Sequence, residues 1–305
     1  MKFSNLFSKL LLFLFCSLNM YAYELPTVNL GGTNFLDGGP LRLLPGWYWG
    51  ESSKYYHSNR LIDNNGNLLG NVNSPTVNLF DVNTTFIYQS NRASIFGAHW
   101  GLSAALPIIF VLDISKNNLG FQSAGAGFGD LAAGPFLQWK PRMKKNGEPL
   151  FVHRVELNVS FPTGKTSGND VSPGNGFYFI EPYWAATLYF TRHWAISWRL
   201  HYLWNSKNKL KLQPGTAVHA NFDMEYEVVK NLWVGFAGYW LQQLTDDRLC
   251  NIKIPGSRER VVGLGPGLLY QPSEKFYAAS MLYFETSVRN RPQGISFMIR
   301  MLLNF

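Results

Sequence analysis

Along much of this chain, large apolar residues stand at every second position. Between His193 and Trp204 the even positions hold Trp194, Ile196, Trp198, Leu200, Tyr202 and Trp204, whereas the odd ones hold His193, Ala195, Ser197, Arg199, His201 and Leu203. Val218, Ala220, Phe222, Met224, Tyr226 and Val228 alternate in the same way with His219, Asn221, Asp223, Glu225 and Glu227. Val155, Leu157, Val159 and Phe161 oppose Arg154, Glu156, Asn158 and Ser160. The last nine residues place Phe297, Ile299, Met301, Leu303 and Phe305 on one side. A period of two predicts strands with two chemically different faces. In a soluble sandwich the apolar face would be core. In a membrane barrel it would meet lipid, with the polar face lining the lumen.

Twelve such strands are predicted, at 43–57, 75–89, 95–109, 127–140, 151–162, 177–190, 193–205, 215–229, 231–246, 260–272, 275–288 and 293–305. A strand of about 10 residues, rising ~3.3 Å each and tilted ~45°, crosses roughly 23 Å, which matches a hydrocarbon layer. Short connections (Ser90 to Ser94, Thr191-Arg192, Lys230, Ser273-Glu274) alternate with longer ones rich in Gly, Asn, Asp, Ser and Lys. The exceptions are a basic turn at 141–150 and a tight last loop at Asn290-Arg291-Pro292. Short periplasmic turns and long outer loops are the rule for membrane barrels, and an even strand number leaves both ends in the periplasm. A terminal aromatic, Phe305, closing the last strand resembles the signal read by the barrel-assembly machinery. The expectation is an all-β, antiparallel transmembrane β-barrel of about 12 strands in the Gram-negative outer membrane.

The N-terminus fits export. Lys2 and Lys9 precede an apolar run from Leu10 to Leu18, and Ala22 offers a small residue for cleavage. That is the layout of a cleaved signal peptide. The chain divides into a signal peptide at 1–22, an irregular arm at 23–42 and the barrel at 43–305. Beyond the signal peptide no apolar run reaches the length of a membrane helix. A mean hydropathy of -0.09 suits a chain in which only alternate residues meet lipid. With the signal removed, Cys250 is the sole cysteine, so the fold must hold without a disulfide. Lys and Arg total 27 against 19 Asp and Glu, giving +8. The basic residues sit mostly in turns, which favours anionic lipopolysaccharide over nucleic acid as their partner.

With the apolar faces toward lipid, the lumen receives His99, Asp130, Arg154, Glu156, Glu181, Tyr183, Arg199, His201, His219, Asp223, Glu225, Tyr239, Gln243, Glu285 and Arg300. Arg199 and His201 are placed to pair with Glu181 on one side and with Asp223 or Glu225 on the other, since neighbouring strands lie about 4.8 Å apart. Such a set serves either as an internal ion-pair network or as a charged constriction that selects solutes. Residues 24–41 do not alternate and carry four glycines. Two placements stand open for this arm, as a partial plug in the lumen or hanging in the periplasm.

Several motifs then fall into a familiar order. They are Gly31-Gly32-Thr33 with Pro45-Gly46-Trp47-Tyr48, Gly127-Phe128-Gly129-Asp130-Leu131 leading to Gly134-Pro135, and Phe161-Pro162-Thr163-Gly164-Lys165. Gly238-Tyr239 with Gln243-Leu244-Thr245-Asp246-Asp247, and Asn290-Arg291-Pro292-Gln293-Gly294, complete the series. The chain resembles the outer-membrane proteins linked to the meta-pathway of phenol degradation. That resemblance implies a transporter-like barrel, in some members encoded beside pathways for aromatic compounds. The expectation for this chain is a passive transporter of small organic solutes, with no cofactor and no bound metal.

Two other functions are weighed beside passive transport. One is a structural or adhesive barrel with a closed lumen. The other is a barrel lipid hydrolase, for which His99 with Ser103 and His201 with Ser197 are the nearest Ser-His pairs. Neither pair has a suitable third residue, so the chain is read as a non-enzyme. Asp246-Asp247 is read as a solvated acidic loop rather than a cation site.

Overall fold

The alternating segments form a closed ring of strands in a computed structural model that describes residues 25–305 apart from 27, 42–43, 70–73, 116–121 and 169. The predicted signal peptide lies outside the described residues. Twelve long strands follow one another: β1 Gly46–Ile62, β2 Val77–Ile95, β3 Ala98–Ile114, β4 Leu131–Gln138, β5 Pro149–Phe161 and β6 Phe179–Thr191. The rest are β7 Trp194–Asn205, β8 Ala217–Val229, β9 Leu232–Gln243, β10 Arg260–Ser273, β11 Phe276–Arg289 and β12 Arg291–Asn304. Each pairs antiparallel with its neighbours in sequence. β12 returns to β1 along a register from Tyr48↔Asn304 to Ile62↔Arg291, which closes the sheet and removes every edge. This is a twelve-stranded transmembrane barrel of the outer-membrane type.

The period of two decides which side chains turn inward. On β12, Phe297, Ile299, Met301 and Leu303 face outward, while Met298, Arg300 and Asn304 are buried inside. On β8, Met224 and Tyr226 face out and His219, Asn221, Asp223 and Glu225 face in. A continuous outer apolar surface around a polar interior is what a bilayer demands of a barrel.

Two expectations need correction. The β2–β3 turn is not at Ser90 to Ser94 but at Phe96-Gly97, where both residues have positive φ (52° and 72°), the signature of a two-residue hairpin whose twist matches its strands. β3 runs five residues past its expected end, through a bulge at Phe110 where the register steps from Asp81↔Ile109 to Phe80↔Val111. That extra residue turns Leu112 and Ile114 back toward the interior. The aromatics near the strand ends divide between the two faces, with Trp47 and Trp194 outward. Tyr48, Tyr189 and Trp233 are buried inside, and Tyr56 bonds to an interior carboxylate. Adjacent aromatics such as Trp47-Tyr48 cannot share one face of a strand.

Candidate functional site: the lumen and its arm

The glycine-rich segment before β1 lies inside the barrel. At the long-loop end, Leu25 N donates to Glu259 Oε1 at 2.9 Å. Midway, Gly31 N donates to Asn221 Oδ1 at 2.8 Å, and Tyr283 Oη donates to Gly31 O at 2.8 Å. At the short-turn end, Gly38 N reaches Thr187 Oγ1 at 2.9 Å and Gln138 Nε2 donates to Gly38 O at 3.0 Å. Leu25, Gly31 and Gly38 therefore mark a path along the length of the interior, held by side chains from strands around the ring. A Cβ at Gly38 would stand 2.4 Å from both Thr187 N and Val152 O, so only glycine lets the arm lie this close to the wall.

The centre of the arm explains the two acidic residues of β8. Phe35 and Leu36 both adopt left-handed backbone (φ 74° and 50°), which aims their successive N–H groups at one side. Phe35 N donates to Asp223 Oδ2 at 2.8 Å, and Leu36 N to the two oxygens of Glu225 at 3.1 and 3.2 Å. Hydrogen bonds of this kind contribute about 0.5–1.5 kcal/mol each, which together offset the cost of holding two residues in an unfavourable conformation. Arg300 Nη2 donates to the carbonyls of Asn34 and Phe35 at 3.0 and 3.2 Å, so the same turn is gripped from the opposite wall.

The expected cross-strand partners of Arg199 are thus replaced. Arg199 pairs with Asp37 of the arm, not with Glu181, Asp223 or Glu225, and its guanidinium lies over the Tyr183 ring. His201 does approach Glu181, at 3.3 Å, and His219 lies 2.6 Å from the same oxygen. Arg154 pairs with Glu156, which also accepts from Tyr183 Oη at 2.6 Å. Glu285 accepts from Tyr56 Oη at 2.8 Å and Tyr239 Oη at 2.9 Å.

Other residues expected in the lumen sit at its rims. His99 contacts Ser90 O near the short-turn end at 3.1 Å. Asp130 lies in the loop before β4, where its carboxylate binds Gly164 N and Asn175 N at 2.7 Å each and so pins the outer loop. Gln243 joins Glu259 N to Asp247 at the long-loop rim. Asp247 is not solvated: it is 2% exposed and accepts from Gly215 N at 2.7 Å. Its burial, with Glu259 nearby, pushes its carboxyl up to about 7. The serines weighed for hydrolysis are engaged elsewhere. Ser103 Oγ donates to Glu156 at 2.5 Å and Ser197 Oγ to Glu225 at 3.0 Å.

Above the arm, at the long-loop end, a cavity of about 170 Å³ remains. Val28 and Leu30 of the arm form part of its lining, with Val77, Leu79, Ile109 and Leu112 of β2 and β3 as its apolar wall. Lys54, Tyr56, Glu285 and Arg291 supply a polar side. The apolar wall was missed in the sequence because β3 is apolar on both faces.

The family described as "Putative MetA-pathway of phenol degradation" matches residues 58–301. The chain belongs to this family. The match spans β1 to β12 and so covers nearly the whole ring of strands. An outer membrane channel from Pseudomonas putida F1 has the same fold, with a TM-score of 0.72 at 14% identity, covering 87% of this chain and 97% of that one. NanC porin gives 0.46 at 9% identity, covering 84% and 100%. No curated protein sequence matches.

Proposed function

We propose that this member of the phenol-degradation family is a passive outer-membrane conduit for small, largely apolar molecules that carry one polar group, single-ring aromatics among them. The observation that carries the reading is the cavity above the arm. Its size is comparable to the ~150 Å³ that accommodates a benzene ring in an apolar core, and one side of it presents hydroxyl and charged groups. An apolar wall favours the ring, while Tyr56 and Glu285 offer bonds to a hydroxyl. The solved channel of like fold and the family's description point the same way.

In this reading the short-turn end faces the periplasm and the basic long loops face lipopolysaccharide. Phe305 serves the assembly machinery. Solute passes inward when the lower part of the arm shifts. The interior ion pairs lock the arm and set the opening, and no residue of the lumen performs catalysis.

The test is entry of phenol and 4-hydroxybenzoate into vesicles bearing the refolded barrel, corrected for protein-free vesicles and compared with glucose. Saturable entry of the aromatics, reduced in Tyr56→Phe, is the expected result. A second reading, a closed structural barrel, is favoured by the length of lumen the arm fills. It would be supported by entry no faster than through bare lipid.

A further inference from the structure

We infer that Glu181, His201 and His219 form a binding site for a divalent transition-metal ion, of which zinc is the simplest case. The three residues come from β6, β7 and β8, at positions that only the closed sheet brings together. His201 and His219 are direct cross-strand partners, and Glu181 sits diagonally across from His201, next to the Tyr183↔His201 pair. One ligand atom from each lies within 4.8 Å of the other two. Glu181 Oε1 is already 2.6 Å from His219 Nε2 and 3.3 Å from His201 Nδ1. Tetrahedral ligands at zinc–ligand distances of ~2.0–2.1 Å lie about 3.3 Å apart, so the set is near that spacing.

Burial and hydrogen bonding argue for a ligand. The side chains are 5%, 1% and 0% exposed for Glu181, His201 and His219. Both ring nitrogens of His201, and Nδ1 of His219, are buried with no hydrogen-bond partner. A neutral imidazole has one lone pair and one N–H, and burying either without a partner is costly; His201, with neither nitrogen hydrogen-bonded, has its lone pair free for an ion beside the His219 Nε2 that already faces Glu181. The nearby cation, Arg199, is already engaged by Asp37 and cannot serve Glu181.

Two imidazoles and one carboxylate form a donor set suited to zinc, nickel, cobalt or copper(II), and unsuited to calcium or magnesium, which take oxygen ligands. The rings are stacked, with centroids 3.9 Å apart and planes 14° apart. Ion binding therefore requires them to turn about their side-chain bonds until their nitrogens converge. A fourth position is left to water. The site lies within four residues of the long-loop ends of its strands, where an ion can enter from the mouth. Because the ligands lie on three separate strands, no spacing motif announces them in the sequence.

The experiment is calorimetric titration of the refolded full-length barrel in detergent with zinc chloride, with calcium chloride as the counter-test. The expected result is one zinc per barrel and no calcium. His201→Gln and His219→Gln should weaken zinc more than about 100-fold, beyond the ~10–100-fold typical of a residue that only supports a ligand. His193→Gln, an exposed histidine away from the cluster, should leave binding unchanged. Folding of each variant is checked by heat-modifiable gel mobility. Should a variant fail to fold, X-ray absorption of the zinc-loaded natural barrel decides, with two imidazole nitrogens and an oxygen shell expected. No stoichiometric zinc binding, full affinity in both folded variants, or a zinc shell without imidazole would each overturn the site.

Discussion

Asp37 of the arm and Arg199 of β7 meet in a two-pronged ion pair inside the barrel, although 162 residues separate them in the sequence. Arg199 Nε donates to Asp37 Oδ2 at 2.9 Å, and Nη2 reaches Oδ1. The fork ties the arm to the wall at the level where Phe35 and Leu36 are held by Asp223 and Glu225. Breaking a buried pair by removing one partner costs about 3–5 kcal/mol, because the other charge is stranded. Asp37→Ala is expected to destabilise the folded barrel by that order in urea unfolding. Asp37→Ala and Arg199→Met together should cost less than the sum of the two single changes.

Gly38 supplies a steric test of the arm's path. Gly38→Ala puts a methyl against the backbone of Val152 and Ala186-Thr187, with no flexible side chain to yield. The lower arm should lift from the wall while the barrel stays intact. Cysteine labelling at Pro40→Cys in a Cys250→Ser background, which removes the exposed natural thiol, read with and without Gly38→Ala, checks this, and faster labelling with Gly38→Ala is the expected outcome.

The long-loop rim carries a pH dependence. The Asp247 carboxyl titrates near 7 when folded, raised chiefly by burial, against an ordinary value near 4 when unfolded. Its contribution to stability is fully present below about pH 4 and is lost as pH rises through 7. Docking of the 244–259 loop should thus loosen between pH 5 and pH 8. Asp247→Asn keeps an acceptor for Gly215 N and has no proton to lose. Hydrogen exchange at Gly215, corrected for intrinsic rates, should show the loosening in the natural chain and not in the variant.

The last residue gives a test in cells. Phe305 is exposed on the outward face of the strand that closes the ring, and its N–H donates to Trp47 O at 3.0 Å. Phe305→Ala is expected to lower the amount of assembled, heat-modifiable barrel in the membrane several-fold, while protein refolded in detergent remains folded.

How much was legible from sequence depended on contrast between the two faces of a strand. β7, β8 and β12 place large apolar residues against polar ones, so their phase and the identity of their inward residues could be read directly. In β3, Leu106, Ile108, Ile109, Phe110, Val111 and Leu112 are apolar on both faces, so neither its end nor the bulge left a mark. The partners of Arg199, Asp223 and Glu225 were unreadable for another reason. Cross-strand rules reach only neighbouring strands, whereas the groups that bind these three include the arm, which crosses the interior without regular structure. The turn at Phe96-Gly97 was obscured by the more polar run before it, although Gly97 itself carried the signal.

Conductance of the refolded barrel in a planar bilayer, natural chain against a chain lacking residues 25–40, tests the central claim that the arm controls passage. Small, rare openings in the natural barrel, altered by added phenol, and large steady conductance once the arm is gone are the expected result. Equal conductance in the two chains, with both shown to be folded by heat-modifiable mobility, would contradict it.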